Sequence, residues 1–175
     1  MARGLWRALT GLLAVLVLMP AVQAADPPAV TPQAFLPHAT AVFKFGIASS
    51  QLALRKTKSE AVQGFAHQLV LEFSVAAMQL RQAVADAKLP PPRDAFDAAH
   101  KALFDELSHT APGKPFAKAY VEAQSKALRD DTKLFEAYAQ DGDNERLKYF
   151  AQEMVPLLRG QLERADRLRR ADSKK

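Results

Sequence analysis

The chain of 175 residues carries 24 Lys and Arg against 19 Asp and Glu, a formal net charge of +5, with 49% apolar residues and no cysteine. That length holds one domain with a sizeable core. The lack of cysteine excludes a disulfide framework, a thiolate zinc site, a cysteine nucleophile and a lipid-modified cysteine anchor, and the seven glycines form no Gly-x-Gly-x-x-Gly or Gly-x-x-x-x-Gly-Lys loop for a nucleotide phosphate.

Arg3 and Arg7 precede a stretch, residues 9–19, that is apolar apart from Thr10 and Gly11, and Pro20 and Val22-Gln23-Ala24 follow. An apolar run of about a dozen residues ending in small residues reads as a signal peptide over 1–24, cleaved near Ala24. Spanning a bilayer takes about 20 residues, which argues against a membrane anchor. No twin-arginine pair occurs in this segment, so the expected route is Sec export to the periplasm. Its removal would take away Trp6, the chain's one tryptophan, and two of the positive charges.

Residues 25–32, with Pro27, Pro28 and Pro32, read as an extended leader to a helical domain over 33–170. Helix one is expected over 33–57, with Leu36, Ala39, Phe43, Ile47, Ser50 and Leu54 on one face. Helix two is expected over 59–88, opened by Ser59 as N-cap with Glu60 in the first turn and stopped by Pro90, Pro91 and Pro92. Its seam includes Val62, Phe65, Leu69, Phe73, Leu80 and Val84. A short helix three over 94–108 carries Phe96, His100, Leu103, Phe104 and Leu107 on its apolar side. Helix four follows over 115–140. An Asp141-Gly142-Asp143 turn leads into helix five over 144–170, with Leu147, Phe150, Met154, Leu158 and Leu162 inward.

Four long helices of about 38–45 Å at 1.5 Å per residue form an all-α four-helix bundle. Residues 88–114 are long enough to run back along it, which favours the ferritin-like connectivity, with the short helix in the crossover between long helices two and three. An up-and-down bundle with helix three packed outside is the alternative. Residues 171–175 form a basic tail.

Two acid-x-x-His pairs, Asp97 with His100 and Glu106 with His109, could supply metal ligands. Di-iron bundles draw such pairs from two long helices and add a Glu from each of the others, whereas both pairs here share one short helix. His100 therefore reads as a hydrogen-bonded inner histidine and His109 as a cation near a helix C-terminus. His38, after Pro37, reads as surface. His67 lies near the azimuth of a second apolar strip, Leu71, Val75 and Met78, expected to pack beneath helix three or else to form a contact between chains. Asp131 and Gln161 are polar residues in the seams of helices four and five, beside Tyr120, Tyr138 and Gln124. A buried carboxylate must be paired or neutralised, so a structural network of Asp131, Gln161 and a tyrosine hydroxyl is expected, unless a slight helix rotation brings Asp131 to water.

Residues 159–175 hold seven basic groups against three acidic ones, which suits a helix C-terminus and a solvated tail. The alternative is weak contact with a membrane surface or cell-wall polymer. Without interleaved aromatics, and after export, nucleic acid is not an expected partner.

Phe35-Leu36 with Ala39, Leu52-Ala53, Phe65-Ala66 with Leu69-Val70, Leu89-Pro90, Phe116 with Tyr120, and most specifically Gly142-Asp143, Leu147-Lys148, Phe150-Ala151, Pro156 and Leu158 give the chain a recognisable pattern. Over nearly all of residues 35–168 it resembles the bacterial family of domain of unknown function 4142, exported helical proteins regarded as ferritin-like. The resemblance implies an inward set of Glu in helix one, Asp-His in helix two, His in helix four and His in helix five that could bind metal. The aligned positions here are Gly46, then Glu72 and Phe73, then Leu128, then Gln161, so one acid survives.

The function expected from the sequence is an exported, non-catalytic binding or structural module with no cofactor. The alternative is a ferritin-like protein binding iron or another divalent metal at a degenerate inner site of Glu72, His100, Asp131 and Gln161. A homo-oligomer would use Leu71, Val75 and Met78 as its contact strip. No Ser/His/acid set at motif spacing supports a hydrolase.

Overall fold

The structure, a computed structural model, describes residues 30–172. The expected signal peptide over 1–24, most of the leader and the end of the basic tail lie outside the described residues. Among the described residues the chain is all-helical: five helices make up 84% of it and no strand forms.

The helices are α1 (Pro32–Lys56), α2 (Glu60–Asp86), α3 (Ala98–His109), α4 (Lys114–Asp141) and α5 (Glu145–Asp172). Local chemistry sets their ends. The Thr31 hydroxyl accepts from the Ala34 N–H at 3.4 Å, with Pro32 in the first turn, where a missing N–H costs nothing. α2 stops two residues earlier than expected, and Lys88 turns the chain through a left-handed conformation, φ 54°, ahead of the three prolines. The larger shift is in α3, which starts at Ala98 because Asp97 is its N-cap; residues 94–97 stay outside the helix. Gly113 caps α4 at φ 93°, where a side chain would be strained, and its N–H donates to the Lys56 carbonyl at 2.7 Å. The Lys56 ammonium donates to the carbonyls of Ser108 and Thr110, at 2.7 and 3.0 Å, so the end of α1 holds the end of α3.

α1 packs against α2 and α4, and α5 packs against α2 and α4. The start of α1 meets the late part of α4 through His38 and Asp131, and its far part meets the start of α4 through Ser50 and Tyr120, so the two run antiparallel. Pairs between Arg129 and Asp166 and between Glu136 and Arg159 make α4 and α5 antiparallel as well. α2 and α4 thus run in the same direction, and the connection between them travels the length of the bundle. This is the one-long-crossover arrangement. α3, within that crossover, packs on α1 and α4.

Phe35, Phe43, Phe73, Phe135 and Phe150 fill the centre, with the Phe35 ring stacked on Tyr138 at 4.0 Å. Fully burying such a ring stabilises the fold by about 1.5–3 kcal/mol, so packing suffices without any cross-link. No helix among the described residues is long and apolar enough to cross a membrane. The position of α3 corrects one expectation: it covers α1 and α4, and Leu71, Val75 and Met78 on α2 stay 70%, 49% and 55% exposed. Most of the C-terminal arginines are also paired, Arg159 with Glu136, Arg167 with Glu163 and Arg169 with Asp166.

Candidate metal centre

Four polar side chains from three helices and a cap meet where α3 lies on α1 and α4. His38 comes from α1, Asp97 from the N-cap of α3, His100 from its first turn and Asp131 from α4. The Asp97 Oδ1 atom lies 2.8 Å from both the backbone N and Nδ1 of His100, and its Oδ2 lies 2.6 Å from Nδ1 of His38. On the other side of both rings stands Asp131. Its Oδ1 is 3.4 Å from Nε2 of His38 and 3.3 Å from Nε2 of His100, with Oδ2 at 3.4 Å from the latter. The two imidazoles meet edge to face, centroids 5.3 Å apart, and Phe45 packs on His100 at the same distance. The side chains of His100 and Asp131 are 3% and 4% exposed, those of His38 and Asp97 31% and 23%.

The inner positions that the family resemblance implies have a different fate. An ideal Cβ on Gly46 would lie 2.2 Å from Cδ2 of Phe73, so the ring occupies the place of a helix-one ligand. Leu128 is buried in the core. Gln161 is buried and donates its Nε2 to Glu72 Oε2, while Gln68 donates to Oε1 at 2.7 Å and an Arg164 nitrogen stands 3.9 Å from that oxygen. One carboxylate, already bonded to two amides, and no imidazole do not fit a metal there. The four candidates therefore divide into two pairs, Glu72 with Gln161 and His100 with Asp131, and do not form one site. The expected network of Asp131, Gln161 and a tyrosine does not form: Tyr120 bonds Ser50 at 2.7 Å, Gln124 donates to Ser49 at 2.7 Å, and the buried Tyr138 hydroxyl faces the backbone of Asn144.

A family model, Domain of unknown function (DUF4142), matches residues 18–168. The chain belongs to the DUF4142 family. No curated protein and no solved structure matches it.

In this DUF4142 chain the hydrogen bond from His100 Nδ1 to Asp97 puts a proton on Nδ1, so Nε2 either donates a second proton to Asp131 when the ring is charged or offers its lone pair to a cation when it is not. The contact of His38 Nδ1 with Asp97 is short but not aligned as a hydrogen bond, leaving Oδ2 without one. Burial by itself would lower the pKa of His100, but Asp131 and Asp97 outweigh it and raise that pKa. Burial would raise that of Asp97, yet the backbone N–H and ring of His100, with His38, pull it down. Two carboxylates facing two neutral imidazoles leave two negative charges, which either two imidazolium protons or one divalent cation balances.

The Asp131 contacts of His100 at 3.3–3.4 Å admit either partner, as long hydrogen bonds or as donors spaced around one ion. Charge-assisted N–H···O bonds measure about 2.7–2.9 Å, as on the Asp97 side, whereas the Asp131 side is longer at 3.3–3.4 Å. Donors at 2.0–2.1 Å from a tetrahedral ion sit about 3.3–3.4 Å from one another. An octahedral ion at similar bond lengths would draw adjacent donors to about 3.0 Å. His38, His100 and Asp131 offer ligand atoms that all lie within 4.8 Å of one another. Asp97, bonded to Nδ1 of His100, is the carboxylate that orients a metal-bound histidine and raises its basicity.

Sequence reasoning found Asp131 and the Asp97–His100 pair and misplaced one partner. His38 is a half-buried member of the cluster, not a surface residue. Its signal was the spacing to Val42, Phe45 and Ser49, a second buried stripe on α1. Asp97 acts from the N-cap, where one carboxylate serves both backbone and ring.

Proposed function

We propose that this DUF4142 protein is an exported, ferritin-like bundle whose role is to hold one divalent metal ion, zinc in preference to iron, between His38, His100 and Asp131. The observation that carries this reading is the convergence of two histidine Nε2 atoms on one carboxylate at 3.3–3.4 Å, with Asp97 on the Nδ1 side of both rings. Two imidazoles and a carboxylate are borderline donors suited to zinc, and the two imidazole-to-carboxylate spacings suit its tetrahedral preference. Such an ion ties α1, α3 and α4 together, so the bound metal acts as a joint in the fold. The near-complete burial of His100 and Asp131 supports binding in preference to turnover. The arginine-led apolar run ending at Ala24 supports export, and the long crossover between parallel helices supports the ferritin-like description.

Elemental analysis of the purified protein after exposure to zinc and to ferrous iron, each followed by desalting, tests this reading. One zinc per chain is expected, with iron retained less, and loss of the zinc in His100→Ala and Asp131→Ala. Zinc that washes off the unaltered protein, or that both variants keep, would overturn it.

A further inference from the structure

A cavity of about 580 Å³ lies between α1, α2 and the start of the crossover, apart from the metal cluster. Its walls are the side chains of Phe43, Ile47, Leu80, Val84 and Leu89, closed by Pro91 and Pro92. That volume falls within the roughly 300–1,000 Å³ of small-molecule pockets. Charge at the rim is uneven. Lys44 is engaged, its ammonium 3.0 Å from the Asp94 carboxylate and 2.9 Å from the Asp94 carbonyl. Arg81, also on the rim, is exposed and makes no hydrogen bond or ion pair among the described residues.

We propose that this cavity binds a single-chain anionic amphiphile, a fatty-acid carboxylate, with its acyl chain between α1 and α2 and its headgroup on Arg81. Apolar walls with a cation at the mouth complement a molecule that is apolar along its length and negative at one end. An extended peptide fits poorly, because its backbone N–H and C=O groups would need partners and the helix backbones that form the walls are already hydrogen-bonded internally. A neutral chain would leave the Arg81 guanidinium unused, and guanidinium pairs with carboxylate through two parallel hydrogen bonds.

Isothermal titration of the purified full chain with dodecanoate, below its micelle-forming concentration, and with dodecanol tests the proposal. Saturable one-to-one dodecanoate binding is expected. Arg81→Gln should weaken it about tenfold while leaving dodecanol unchanged, since a charge-assisted contact is lost. Ala48→Trp, which places an indole in the cavity, should abolish binding of both, and Ala77→Phe is the second filling variant should the first not fold, as judged by circular dichroism. The proposal is overturned if dodecanoate shows no saturable binding, if a folded filling variant binds it unchanged, or if Arg81→Gln has no effect on it.

Discussion

Asp97 receives the backbone N–H and the ring Nδ1 of His100 on one oxygen, each at 2.8 Å. The cap that starts α3 is therefore also the group that aims the histidine at Asp131. Substitution can separate the two duties. Asp97→Asn retains a good cap, so stability should change by only a few tenths of a kcal/mol, while zinc affinity falls about 10–100-fold with the loss of the orienting carboxylate. Asp97→Ala should show the same loss of affinity and cost about 1 kcal/mol more through the missing cap. Chelator competition and urea unfolding of the metal-free protein measure the two effects.

Gly46 and Phe73 share one space, so Gly46→Ala overpacks the core. With a Cβ 2.2 Å from the ring, a cost of about 1–3 kcal/mol is expected in urea unfolding. Gly46→Ala combined with Phe73→Leu should cost less than the two single changes summed, because the smaller side chain vacates the contact.

Alkaline stability should report on two of the three tyrosines. Burial pushes the Tyr138 phenol up to about 12, helped by the negative charge of Asp143, and burial drives Tyr120 well above the usual range against the opposing hydrogen bond with Ser50. The unfolded chain loses these protons from about pH 10 and the folded one keeps them, so the unfolded state binds fewer protons and stability falls as pH rises. Unfolding free energy is expected to hold up to about pH 10 and then decline. Tyr138→Phe, which removes the ionisable hydroxyl, should reduce the decline. Urea melts at several pH values, with phenolate absorbance, read this directly.

Val75 is half exposed on the outer face of α2. Val75→Glu should shift unfolding free energy by no more than about 0.5 kcal/mol, as surface substitutions do. A larger loss would mean that the strip is covered in solution, and sedimentation at several concentrations would then show the covering copy.

The helices could be read from the sequence because their signals are local. Periodic apolar residues, Ser59 before a helix start, and the prolines at 90–92 act within a turn or two of chain. The one-long-crossover arrangement followed from the length of the middle connection. What periodicity cannot carry is the place where a crossover sets its short helix. Covering α1 and α4, α3 brought His38 out of solvent beside His100, and it left Leu71, Val75 and Met78 uncovered on α2. Gln161 and Asp131 share an inward character in sequence, yet they face different neighbours, α2 for one and α1 with α3 for the other. The resemblance located the inner positions, and a ring at Phe73 in place of a ligand already pointed to the filled space that its contact with Gly46 shows.

Zinc K-edge absorption of the protein loaded with one equivalent of zinc tests the metal assignment most directly. Two imidazole nitrogens and oxygen donors at about 2.0–2.2 Å, in four-coordinate geometry, are expected. Loss of one imidazole from that shell is expected in His38→Ala, the residue that sequence reading placed at the surface. A shell without imidazole, or one that His38→Ala leaves unchanged, would contradict it.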